Sequence, residues 1–70
     1  LKLKSIKYGK KTVFLEANTH FRLAIKKKDI VYFGDVKRYL NQTLEVRGWI
    51  HRQGKQFYMN IRHPSAIISQ

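Results

Sequence analysis

Apolar and polar residues alternate with a period of two through most of this chain, the mark of strands with one buried face. Residues 12–16 (TVFLE) are β-branched and aromatic, and residues 20–26 set Phe21, Leu23 and Ile25 on one side. Residues 1–8 are strand-like but change phase: Leu1 and Leu3 share one face, Ile6 and Tyr8 the other. A β-bulge near Ser5 would return both pairs to one side. Gly9, Lys10 and Lys11 supply a turn, and residues 17–19 a second break. The period then lengthens. Asp29 is positioned to cap a turn over residues 30–33, and Asp35 a second one carrying Val36, Tyr39 and Leu40 at helical spacing. With Gly34 between them, the pattern predicts two short helical pieces or one interrupted helix.

The last third reads as a hairpin. With Gln53 and Gly54 at the tip, Ile50 faces Phe57, Gly48 faces Met59 and Val46 faces Ile61 on the inner side. On the outer side Trp49 faces Tyr58, Arg47 faces Asn60 and Glu45 faces Arg62. A slip of one residue would turn Arg and Gln inward, so the register is expected to be strongly specified. Pro64 ends the ladder, and residues 65–68 form either a helical turn or a last edge segment.

The predicted order is thus β-β-β-α-β-β: all-β, a five-stranded Greek-key barrel with one short helix between strands three and four. That is the OB-fold. An SH3-like barrel is the competing architecture and would not need a helix at that point. Gly48 fits a coiled barrel strand, where mid-strand glycines mark bends or close backbone approach.

Composition narrows the class. Seventy residues hold one small core, with about 60% of the unfolded surface buried, so residues 1–70 are expected to be a single domain. The chain starts at Leu1 rather than Met, which leaves two expectations open, a processed product or a domain of a longer protein. Hydrophobic content of 43% is too high for a disordered basic tail, and the absence of Cys removes disulfide frameworks and zinc ribbons while leaving the compartment undecided. The apolar run at residues 30–33 is far too short to span a bilayer. Fifteen Lys and Arg against four Asp and Glu give a formal charge of +11, so polyanions are the natural partners.

Catalytic material is scarce. Glu16, Asp29, Asp35 and Glu45 lie in four different elements, the three His are scattered without ligand spacing, and no Gly-rich phosphate loop is present. The expectation is a non-enzyme with no cofactor and no metal. For binding, the outer face of the hairpin offers Trp49, Tyr58, Arg47, Asn60, Arg62 and, at its margin, His51, exposed rings beside cations of the kind on which bases stack. The same two rings are equally readable as an ordinary cross-strand pair covered by the rest of the fold. On OB geometry, Lys10, Lys11, Arg22, Lys26, Arg52 and Lys55 rank above them, because they fall on strands two and three and the loops beside them. Phe14, out of phase with Val13 and Leu15, is either a core residue at a bend or a stacking platform. The run Lys26, Lys27, Lys28 is either a solvated strand end or a nucleic-acid contact.

The stretch LEVRGWIHRQGKQFYMNIRHPSAI resembles the closing hairpin of small OB-fold domains that accompany bacterial thermonuclease-like (staphylococcal-nuclease-like) nucleases. Val13-Phe14-Leu15, Phe21-Arg22 and Phe33-Gly34-Asp35 are similar too. The resemblance implies an accessory domain that binds DNA or RNA. It departs where the family often has Asn-Gly-Pro and this chain has Gln53-Gly54-Lys55, and nothing matches the family's catalytic motifs, so nuclease activity would belong to another part of a longer chain. The expected partner is single-stranded nucleic acid, bound by a monomer with low sequence specificity. Affinity should fall roughly 10³-fold between 50 and 200 mM salt if about six phosphates are neutralised. The alternative is a module that docks onto an acidic protein or an anionic surface.

Overall fold

Three antiparallel strands begin the fold: β1 (Ser5–Tyr8), β2 (Thr12–Asn18) and β3 (Phe21–Lys26). The computed structural model describes every residue except Thr19 and Gln70. Further along come β4 (Leu44–Val46), β5 (Ile50–Gln53), β6 (Gln56–Asn60) and β7 (Ile67–Ser69). Five of these make one sheet in the order β1-β2-β3-β6-β5, with β3 and β6 parallel and the other pairs antiparallel. β4 and β7 form a separate antiparallel ribbon. The fold is therefore mostly β, as the alternation predicts, but the sheet is not closed into a barrel; β1 and β5 are its edges.

The expected fourth strand is split in two. β5 stays on β6 while β4 turns away to pair with β7, and residues 47–49 carry the bend. A Cβ at Gly48 would lie 3.1 Å from Met59 Cε, so the chain passes close over the core at that point. Opposite this bend, residues 1–3 approach the start of β4: Lys2 bridges Thr43, Leu3 bridges Leu40, and Leu44 N–H donates to Leu1 C=O at 2.6 Å. Lys4 N–H donates to Glu16 C=O at 2.8 Å although Glu16 is the register partner of Ser5. Two residues thus oppose one, the predicted bulge. It brings Leu3 and Ile6 to the core side but leaves Leu1 and Tyr8 exposed.

Between β3 and β4 lie two short 3₁₀-helices, Lys27–Tyr32 and Val36–Tyr39, rather than an α-helix. Asp35 caps the second as predicted, accepting from Lys37 N–H at 3.0 Å. Asp29 does not cap the first, which begins two residues earlier, at Lys27. Gly34, at φ +65°, makes the left-handed turn between them at no Cβ cost. Phe33, just after the first, and Val36 and Tyr39 of the second cover the inner face of the sheet together with Leu3, Leu44 and Ile67. Beneath them sit Val13, Leu15, Leu23, Ile25 and Ile61, each at most 2% exposed. Pro64–Ala66 is a third 3₁₀-helix, capped by His63 Nδ1 accepting from Ser65 N–H at 3.1 Å, and it leads directly into β7. Both readings of residues 65–68 are thus realised in sequence.

The hairpin register differs from the expected one. Ile50 pairs with Met59, His51 with Tyr58 and Arg52 with Phe57, so the tip is Gly54-Lys55. Gly54 adopts φ +62° at the first central position of a two-residue turn, as a type II′ hairpin requires. The shift amounts to two positions on one strand, which leaves every residue on its original face; alternation fixes the face and cannot see a slip of two. The correction cancels the Trp49–Tyr58 and Glu45–Arg62 pairs. Glu45 instead lies opposite Ile68 and holds Arg47 Nε at 3.0 Å.

Candidate functional site

On the side of the sheet away from the core, the strand alternation leaves Phe14 and Glu16 of β2, Arg22 and Lys26 of β3, Tyr58 and Asn60 of β6, and His51 of β5. Register lines them into rungs: Ser5, Glu16, Arg22, Tyr58 and His51 form one, and Lys7, Phe14, Ala24 and Asn60 the next. Ala24 is the small member at the centre. With a methyl group there, a shallow depression of about 210 Å³ opens between Phe14, Arg22, Lys26, Tyr58 and Asn60.

Two ring contacts build this face. The Arg22 guanidinium lies over the Phe14 ring, 4.2 Å from its centroid, and His51 stacks on Tyr58 at 5.2 Å with planes 22° apart. Glu16 is the register partner of Arg22, yet its carboxylate accepts from Ser5 Oγ at 3.2 Å and meets Lys7 Nζ at 3.6 Å. Among the described residues Arg22 makes no ion pair, and its Nε is enclosed without an acceptor.

At one end of the face the charge concentrates. Lys10 and Lys11 sit in the β1–β2 turn, closed by Gly9 N–H to Thr12 C=O at 2.8 Å, and Lys27 N–H donates to Lys11 C=O at 2.9 Å. Around the depression so formed stand Lys10, Lys11, Lys26, Lys27 and Lys28 with Thr12. Next to it Lys26, Asp29, Asn60 and Arg62 line a smaller hollow.

The sequence-predicted residues are therefore distributed over four places. Phe14, Arg22, Lys26 and Tyr58 share the central face, and Lys10 and Lys11 adjoin it. Lys55 is exposed in the β5–β6 turn at the opposite end of the sheet. Arg52 is tied there too: its Nε donates to Gly54 C=O at 3.0 Å, and its guanidinium lies 5.9 Å from the Phe57 ring, on the side away from Tyr58. Arg47 and Trp49 lie outside the five-stranded sheet, with Trp49 86% exposed in the bend. Lys27 and Lys28 of the lysine run, and Asn60 and Arg62 of the hairpin's outer face, adjoin the site as well. The expected register also paired Arg62 with Glu45, whereas it lines a hollow with Lys26.

Among the described residues, no three His, Asp or Glu side chains converge as a metal site, and no helix is long and apolar enough to cross a membrane. No family model matches the chain, and no curated protein or solved structure is significantly similar to it.

Proposed function

We propose that this chain is a non-catalytic OB-type module that binds single-stranded DNA or RNA with low sequence specificity, as part of a nuclease-type protein. The OB reading draws support from the strand order: an antiparallel β1-β2-β3 meander, helical turns, then a hairpin whose second strand runs parallel to β3. OB barrels are often partly open, and the contacts of residues 1–3 with residues 40–44 lie where such a barrel would close. Membership of the nuclease-associated group rests on the sequence resemblance alone.

One observation carries the binding reading: Phe14 with Arg22, and Tyr58 with His51, share a face that runs into the lysine corner. Bases stack on such rings at about 1–3 kcal/mol each, while the cations neutralise phosphate. The carboxylates favour binding over turnover. Glu16 and Glu45 are held in ion pairs, Asp35 caps a helix, and Asp29 stands beside Lys26 and Arg62.

The test is fluorescence anisotropy with labelled single strands of DNA and RNA, duplex DNA and an acidic peptide over a range of salt. Single strands are expected to bind tightest, with affinity falling steeply as salt rises. Absence of oligonucleotide binding at low salt overturns the proposal, and tight binding of the peptide alone favours docking onto an acidic protein.

A further inference from the structure

The lysine corner carries more charge than a passing phosphodiester chain needs. Two basic segments build it, and they are fastened to each other: Lys27 N–H donates to Lys11 C=O at 2.9 Å, and Thr12 and Lys26 are register partners. Five lysines surround a depression of about 520 Å³ whose wall contains no carboxylate. Each backbone diester brings one negative charge. A phosphate monoester brings about −1.5 to −2 at neutral pH and presents three acceptor oxygens, so it offsets several converging ammonium groups at one point.

Position points the same way. Thr12 and Lys26 line both this depression and the neighbouring one that contains Phe14 and Tyr58. Phe14 is two residues along β2 from Thr12, about 7 Å at the rise of a strand. A nucleotide stacked on Phe14 therefore has its own phosphate within reach of the corner.

We infer that the lysine corner is a terminal-phosphate site, so that the module prefers the phosphorylated end of a single strand to a hydroxyl end. The inference rests on the nucleic-acid reading of the adjoining face, and its test separates the two. Oligonucleotides of one sequence, labelled internally, are compared with a 5′-phosphate, a 3′-phosphate or hydroxyls at both ends. One phosphorylated form is expected to bind about tenfold tighter than the hydroxyl form, the worth of one hydrogen bond to a charged group. The double variant Lys27→Gln/Lys28→Gln should abolish that difference, while Lys2→Gln/Lys37→Gln, removing equal charge elsewhere, should keep it.

Equal binding of all three oligonucleotides overturns the inference and leaves the nucleic-acid reading standing. So does an end preference that survives in Lys27→Gln/Lys28→Gln. If no oligonucleotide binds, the nucleic-acid reading and the end preference fall together, even where pyrophosphate shifts the amide resonances of Thr12 and Lys27.

Discussion

The β2–β3 hairpin and the β5–β6 hairpin carry the same alternation in sequence and are buried to very different depths. Val13, Leu15, Ala17, Leu23 and Ile25 of the first are all buried; in the second Met59 of the inner strand β6 is buried too, but Ile50 of β5 is 62% exposed and Phe57, at the turn end, 41%. The difference is neighbourhood. β2 and β3 have a strand on either side and the 3₁₀-helices across their inner face; β5 is an edge with nothing beyond it in the sheet. Alternation declares which way a side chain points, and the number of neighbouring elements decides how deeply it is buried. The outer faces differ for the same reason: rungs of aromatic and cationic groups assemble where strands stack side by side, over β2, β3 and β6.

The sharpest way to break this comparison is to truncate one core residue in each hairpin. Leu15→Ala should cost about 2–5 kcal/mol in denaturant unfolding, enough to unfold much of so small a domain, while Ile50→Ala should cost under about 1 kcal/mol. Equal losses would mean that β5 is covered in solution. Next in size, Phe14→Ala should weaken single-strand binding by about 1–3 kcal/mol, against less than about 0.5 kcal/mol for Trp49→Ala, as read by anisotropy. Trp49 lies off the face despite being the largest and most exposed ring.

Salt dependence sharpens the comparison further. Replacing Lys11 and Lys26 together by Gln should flatten the log–log slope by about 1.4, or about 0.7 per phosphate contact on a single strand. Lys55→Gln, at the far end of the sheet, should leave the slope within about 0.3 of the parent. Gly54→Ala places a Cβ at φ +62° and should cost about 1 kcal/mol, loosening β5 and β6 in amide exchange before β2 and β3. The smallest effect is Glu16→Gln. It removes the carboxylate of Arg22's register partner while keeping an acceptor for Ser5, and should tighten oligonucleotide binding about twofold.

Much of this was legible in the chain. Most strand positions and inward faces, the bulge near Ser5 and the Asp35 cap follow from local spacing, whereas Phe14 stayed open between core and outer face until the sheet placed it beside Arg22. Strand pairing was less accessible. The expected hairpin satisfied both faces yet stood two positions out, because the arbiter was the backbone conformation of Gly54 rather than the pattern around it. That one shift detached Tyr58 from Trp49, gave it to His51, and moved Arg62 away from Glu45 toward Lys26. The 3₁₀ form of the connecting helices was likewise beyond spacing alone.

Sequence by itself determined a small basic β domain, because charge is additive over residues and the period of two is a property of neighbouring residues. Tertiary structure alone decided that the fourth strand would split, that the sheet would stay open, and which cations would gather. Lys10 and Lys11 meet Lys26, Lys27 and Lys28 because a backbone hydrogen bond and a strand register join segments some sixteen residues apart. Contacts of that kind are fixed by how sheets close and cover one another, which no local pattern encodes.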